Sequence, residues 1–154
     1  PYEGEVPVAR LVETVEQVAR FGPDEIAIAD SIGVAVPTDV TERSVAAAAV
    51  AGDATLRCHF HNTRNTGLAN VAAAVAAGVR VVDASLAGLG GCPCAPNATG
   101  NIPTEDTVYL LERMGYDTGV SLETLIESVP WVEDLLDHPT PGLLAKAGPF
   151  PPAA

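Results

Sequence analysis

The order of apolar and polar positions predicts helices that alternate with short strands. Apolar residues recur at helical spacing from Val8 to Ala19, and Gly22 supplies a stop for this first helix. Further helices are predicted at 39–52, after Pro37-Thr38, at 68–77 and at 104–114. Thr104 is a candidate N-cap of the last one, and Glu105 and Asp106 suit its dipole. Strand-like runs separate the helices at 25–30, 55–61 and 79–85.

This alternation indicates an α/β fold with parallel strands joined by right-handed crossover helices. An open doubly wound sheet and a TIM (β/α)₈ barrel both fit the pattern. A complete barrel needs about 250 residues, so 154 residues would form only about half of one. Half a barrel leaves strand edges unpaired. We therefore expect this chain to pair with a missing half or with another copy of itself.

The carboxyl-terminal part predicts one more helix and an irregular tail. The helix begins near Ser121 and is expected to be interrupted near Pro130. The tail is rich in proline and is expected to be irregular. We assign residues 1–138 to the barrel-type domain and residues 139–154 to the tail.

Charge and cysteine content exclude some classes of partner. The chain has 20 acidic against 8 basic side chains and a net charge of −12, which argues against nucleic acid and against an anionic membrane surface. No apolar run reaches the ~20 residues of a membrane span. The three cysteines form no CxxC pair. They favour a reducing, cytoplasmic compartment over a disulfide framework.

Two histidines are the first candidates for chemistry. His59 and His61 stand two apart on a predicted strand, so they share one face and could bind one cation, although structural histidines are an equal alternative. Asn101 offers a third, neutral oxygen ligand, and the mixed set would suit Mg²⁺ or Mn²⁺. Asp30 ends the neighbouring predicted strand. It could be a ligand, a general base, an outer-shell partner or a turn former.

A glycine-rich loop follows the third predicted strand. Gly90 and Gly91 lead directly to Cys92, which could act as an acid or a nucleophile, or simply fill space as a small apolar residue. Glu105, on the next helix, could orient Asn101 or complement the helix dipole.

These motifs resemble hydroxymethylglutaryl-CoA lyase, a family of divalent-metal (β/α)₈-barrel enzymes. The matching segments are Pro1-Tyr2-Glu3-Gly4, Asp30-Ser31-Ile32-Gly33, the loop from Ser85 to Pro93, Ala98 to Asn101 and Thr104-Glu105-Asp106. The resemblance implies the carboxyl-terminal half of the barrel, about strands six to eight. It also implies that His59, His61 and Asn101 bind Mg²⁺ or Mn²⁺.

The resemblance further implies roles around the metal. Cys92 would be the catalytic loop cysteine, Asp30 would assist proton transfer, and Gly90, Gly91 and Glu105 would form the substrate loop and its support. The implied reaction is retro-Claisen cleavage of hydroxymethylglutaryl-CoA, an acyl-CoA substrate, to acetoacetate and acetyl-CoA. The implied partners are the missing amino-terminal half of the barrel and a second copy in a homo-oligomer, a dimer.

Departures from the family pattern leave other functions open. The family's aspartate ligand and catalytic arginine belong to the first half of the barrel, so we expect this chain alone to be inactive. Asn62, Arg64 and Cys94 differ from the usual residues near the substrate. The alternatives are a lyase for another hydroxyacyl-CoA, a Claisen-condensing enzyme like the isopropylmalate synthases, and a catalytically silent half-barrel.

Overall fold

The computed structural model describes residues 4–91 and 100–150 of the chain. The described elements are α1 (Val8–Ala19), β1 (Glu25–Asp30), α2 (Pro37–Ala48), β2 (Thr55–Phe60), α3 (Gly67–Ala76), β3 (Val81–Asp83), a 3₁₀ turn (Leu86–Gly88), α4 (Thr104–Arg113), α5 (Leu122–Leu136) and α6 (Leu144–Ala147). The predicted alternation of helices and strands is confirmed. The third strand is shorter than the 79–85 run that the sequence suggested.

The three strands form one parallel sheet with β2 in the centre. Ala29 on β1 stands beside His59 on β2, and His59 stands beside Asp83 on β3. Each outer strand has one strand neighbour among the described residues, so β1 and β3 each keep an open edge. Helices connect the strands as crossovers, which confirms the α/β prediction.

The central strand β2 has one apolar face and one polar face. Leu56, Cys58 and Phe60 are buried in one cluster with Val71 and Ala74 of α3. Burial raises the pKa of the Cys58 thiol to about 11, so this cysteine is an inert core residue. The intervening side chains of β2 point away from the helices and stay partly exposed.

Two local expectations in the carboxyl-terminal part were wrong. The N-cap residue of α4 is Pro103, and no side chain of the described residues caps the helix, so Thr104 is not the N-cap. Helix α5 runs through Pro130 without interruption. Proline removes one backbone donor. Here Val129 and Val132 bury the same face of the helix against Ala87, and this packing retains the helix.

The tail docks onto the domain through side chains of earlier helices. Asp106 of α4 accepts hydrogen bonds from the amides of Leu143 (3.1 Å) and Leu144 (2.7 Å), at the start of α6. Glu133 of α5 accepts bonds from both the amide and the hydroxyl of Thr140. These bonds hold the pKa of Glu133 below its usual value. A short helix therefore lies within the segment expected to be irregular.

The loop after β1 packs closely on the loop after β2. Gly33 has φ +60°, and a Cβ there would lie 2.9 Å from both the carbonyl oxygen of His61 and the Cβ of Thr63. Arg64 donates hydrogen bonds to the carbonyls of Ile32 (2.8 Å) and Gly33 (3.1 Å). The two loops therefore form one rim at the carboxyl ends of the strands. Within the described ranges, no helix is long and apolar enough to cross a membrane.

Gly33→Ala should destabilise the protein more than Gly22→Ala. Both glycines have left-handed backbone, with φ +60° and +63°, but a Cβ at Gly22 would meet nothing within 4 Å. Gly22→Ala should cost about 1–2 kcal/mol of the free energy of unfolding, from the backbone alone. Gly33→Ala should cost about 1–3 kcal/mol more, from crowding of the rim. Urea denaturation measures both values, and equal losses would contradict the close packing.

Candidate active site at the carboxyl ends of the strands

The structure brings the two histidines together at the end of β2. The ring centroids of His59 and His61 lie 5.2 Å apart, with the ring planes tilted by 59°. His59 lies on the polar face of the sheet with its side chain 31% exposed. His61 follows the strand and is only 5% exposed. The pair is close enough to bind one ion.

Asn101 lies next to His61. The two residues form an isolated antiparallel bridge through their backbones. The Asn101 side-chain amide donates to the carbonyl of Leu89 at 2.7 Å, which fixes the orientation of the side chain. Its Oδ1 is buried and has no hydrogen-bond partner among the described residues.

Two buried polar atoms at this point of the fold therefore have no hydrogen-bond partner among residues 4–91 and 100–150. They are Nδ1 of His61 and Oδ1 of Asn101. Buried polar atoms in native proteins are nearly always paired, so an unpaired group calls for an explanation. A cation would satisfy both, and a mixed nitrogen and oxygen set suits Mg²⁺ or Mn²⁺. The residues present therefore fit a divalent metal.

The charge state of His61 also suits a metal ligand. Its pKa is lowered, mainly by burial and then by the neighbouring His59, while Asp30 opposes the shift. The neutral imidazole is the form that binds metals. Among residues 4–91 and 100–150, no group of three His, Cys, Asp or Glu side chains is close enough to hold a metal. The two histidines and Asn101 would thus form part of a ligand set.

A charged row that the sequence reading missed lies beside His59. Arg57 on β2 forms ion pairs with Glu25 on β1 and Asp83 on β3. Its pKa is raised, first by the hydrogen bond to Glu25 and then by the charge of Asp83. The sequence contained one indication of this row. Arg57 and His59 are two residues apart on the predicted strand, so their side chains lie on the same face.

Asp30 lies at the end of β1, in register with Phe60. Its carboxylate accepts hydrogen bonds from the amides of Val34 (3.0 Å) and Ala35 (2.9 Å). These contacts fit the turn-former alternative, and its role in proton transfer stays a prediction. The predicted catalytic Cys92 lies outside the described residues, as does Cys94.

The glycine-rich loop contacts Asn101 through its backbone. The carbonyl of Gly90 accepts from the amide of Asn101 at 3.0 Å. Gly90 has φ +91°, and a Cβ there would lie 2.9 Å from the side-chain nitrogen of Asn101. Glycine is therefore required at position 90 by both conformation and space. Gly91 is exposed at the end of this described stretch.

Glu105 supports the same loop from beneath. It is fully buried. One of its carboxylate oxygens accepts a hydrogen bond from the amide of Ala87 at 3.0 Å, and the other has no partner among the described residues. In the described structure Glu105 therefore binds the 3₁₀ turn and not Asn101. Burial raises the pKa of Glu105, against the opposing effect of the bond from Ala87.

Removal of the Glu105 carboxyl group should destabilise the loop. Glu105→Ala leaves the buried amide of Ala87 without an acceptor and should cost about 1–3 kcal/mol of the free energy of unfolding at neutral pH. Glu105→Gln keeps an acceptor and should cost less. Urea denaturation of the three proteins measures these values.

The two proteins with Glu or Gln at position 105 should also differ in pH dependence. The pKa of Glu105 is raised in the folded state. The folded protein binds the Glu105 proton more tightly than the unfolded chain does. The free energy of unfolding therefore falls as pH rises from the ordinary pKa of glutamate through the raised pKa of the folded protein. The wild type should lose stability relative to Glu105→Gln over this interval. A difference that stays constant with pH would contradict a raised pKa.

Comparisons of the sequence with a family model and with known proteins point to the same family. Residues 1–132 match the HMGL-like family. (R)-Citramalyl-CoA lyase of Chloroflexus aurantiacus is 43% identical over 152 residues, which cover 99% of this chain and 48% of that protein. Hydroxymethylglutaryl-CoA lyase YngG of Bacillus subtilis is 41% identical over 141 residues, which cover 92% of this chain and 47% of that protein.

A comparison with solved structures points to the same family. An HMG-CoA lyase from Acinetobacter baumannii, in complex with coenzyme A and 3-methylmalate, superposes with a TM-score of 0.93 and 41% identity, covering 100% of this chain and 50% of that one. The chain thus spans about half the length of the curated relatives it matches, and its fold is half of a (β/α)₈ barrel. These matches show that the chain belongs to the HMGL-like family, whose relatives named above are acyl-CoA lyases.

Proposed function

We propose that this chain supplies the carboxyl-terminal half of the active site of a metal-dependent carbon–carbon lyase. Its substrate would be hydroxymethylglutaryl-CoA, and the products would be acetoacetate and acetyl-CoA. The observation that carries this proposal is the pair of buried polar atoms on His61 and Asn101, next to His59, for which the described part of the chain offers no hydrogen-bond partner. Membership of the HMGL-like family supports the same reaction class.

The side chains of His59, His61 and Asn101 would hold Mg²⁺ or Mn²⁺. When bound, the ion would supply Lewis-acid polarisation of substrate oxygens. The chain's own residues would position and protect the site. Glu105 holds the turn that precedes the glycine-rich loop. Gly90 lets that loop approach Asn101, and Asp30 and Cys92 are proposed to move protons.

The open edges of β1 and β3 support the proposal that a second half-barrel completes the sheet. A groove of about 450 Å³ lies along β3 and is lined mainly by apolar side chains, among them Val81, Val82 and Tyr116. A second groove, of about 320 Å³, includes Ile28 and Ala29 of β1. We propose that one complementary half-barrel fills both grooves and adds a strand at each edge. It would also supply the remaining ligand, and the assembled barrel would form a dimer.

Citramalyl-CoA is a second candidate substrate. The citramalyl-CoA lyase match covers 99% of the chain at 43% identity, as strong as the match to the hydroxymethylglutaryl-CoA lyases. Arg64 stands where those lyases have a different residue in the resembling motif. Its guanidinium is bound to the carbonyls of Ile32 and Gly33, so it shapes the rim of the site.

Complementation should restore cleavage. We expect no turnover from the purified chain alone, since the proposed site is incomplete. Mixed with the amino-terminal half of the Bacillus subtilis relative, it should cleave hydroxymethylglutaryl-CoA in the presence of Mg²⁺, and EDTA should abolish the activity. Chromatography of the CoA species measures cleavage, and citramalyl-CoA is assayed in parallel.

Matched histidine variants test the ligand assignment. His61→Ala should lower the restored rate by about a hundredfold or more, since it removes a ligand. His138→Ala is the control, because His138 is exposed and bonds only the carbonyl of Pro139 in the described structure. Equal rates for the two variants would contradict the metal site. Cleavage by the chain alone, or none by the mixture with either substrate, would contradict the proposed function.

A further inference from the structure

One charged residue from each strand contributes to a row on the polar face of the sheet. The Nη1 atom of Arg57 donates to Oδ1 of Asp83 at 2.9 Å, and its Nη2 donates to Glu25. The other oxygen of Asp83, Oδ2, lies 3.5 Å from Nδ1 of His59. Asp83 therefore uses one oxygen for Arg57 and directs the other to the imidazole.

This arrangement selects one form of His59. A carboxylate beside Nδ1 favours the tautomer that carries its proton there, and the lone pair then lies on Nε2. Arg57 holds Asp83 in place because its planar guanidinium pairs with carboxylates on both neighbouring strands.

The contribution of these ion pairs to folding stability does not by itself explain why the row of Glu25, Arg57 and Asp83 is present. The side chains of Arg57, Asp83 and Glu25 are 35%, 33% and 42% exposed. Ion pairs at this level of exposure contribute little to folding. Orientation of a neighbouring ring needs only a fixed geometry, which the row provides.

The two imidazoles are oriented by different means. His61 is held by burial and by its backbone bridge to Asn101, and its Nδ1 has no partner in the described part of the chain. His59 is three-tenths exposed, and its Nδ1 lies 3.5 Å from Oδ2 of Asp83.

We propose that Arg57 and Asp83 are positioning residues that fix His59 with Nε2 available to a divalent cation. This inference rests on the proposed function for its purpose, but its geometry can be tested without metal or substrate. Arg57 acts only through Asp83, and Asp83 only through the ring.

The tautomer of His59 is the first readout. Nitrogen NMR of the ¹⁵N-labelled, metal-free chain at about pH 8.5, above the ordinary imidazole pKa of about 6.5, distinguishes a proton on Nδ1 from one on Nε2. The wild type should carry it on Nδ1. Asp83→Asn and Arg57→Met should shift the population towards Nε2, and Arg57→Lys should restore part of it.

Arg10→Met provides the matched control. Arg10 pairs with Glu13 at 3.0 Å on the exposed face of α1, so this variant removes the same charge and an ion pair elsewhere. It should leave the His59 spectrum unchanged. A proton on Nε2 in the wild type, or a spectrum that Asp83→Asn does not alter, would overturn the positioning role.

Metal affinity is the second readout and separates this inference from the proposed function. In the complemented protein, Asp83→Asn should weaken Mn²⁺ binding about tenfold or more in calorimetry, and Arg57→Met should weaken it less. Tautomer shifts without any Mn²⁺ binding by the wild type would reject the proposed function and keep the positioning of His59. Unchanged affinity in both variants, with Mn²⁺ bound, would reject the inference alone.

Discussion

The site depends on the packing of one face of β2 against helices. Cys58 and Phe60 are 2% and 3% exposed in the main core, and this burial fixes which side chains of the strand face away from it. A shift by one residue would exchange the two faces, so the core sets the strand register strongly. His59 lies on the polar face because its neighbours are buried. The hydrophobic core thus determines where a metal could bind.

Polar contacts at the carboxyl ends of the strands refine that placement. Asn101 is bridged to His61 and bonded to Leu89, and Glu105 holds the turn at Ala87. These bonds pair one polar atom each of Asn101 and Glu105. The other side-chain oxygen of each residue has no partner among the described residues. An unpaired buried polar atom is costly, and one bound cation would give a partner to both Nδ1 of His61 and Oδ1 of Asn101, as proposed above.

Local patterns predicted much of this, and non-local contacts account for the rest. Alternation along the predicted strand at 55–61 put His59 and His61 on one side, and residue spacing located the three strands and α1. The sequence offered Asn101 as a possible oxygen ligand, and the family resemblance implied the same role, but its bridge to His61 is a non-local contact. The row of Glu25, Arg57 and Asp83 depends on the register of parallel strands, which a single sequence does not reveal. The continuity of α5 through Pro130 likewise comes from tertiary packing.

A half-barrel fold would explain why the proposed ligand residues of this chain form only part of a metal site. The curated relatives are about twice as long, and one groove lies along β3 while another lies between β1, α1 and α2. The decisive measurement is a crystal structure of the chain assembled with a complementary half-barrel and Mn²⁺, with the ion located by anomalous scattering. We predict a single Mn²⁺ bound by His59, His61 and Asn101 together with a carboxylate of the added half. An ion bound elsewhere, or bound without His61 and Asn101, would contradict this assignment.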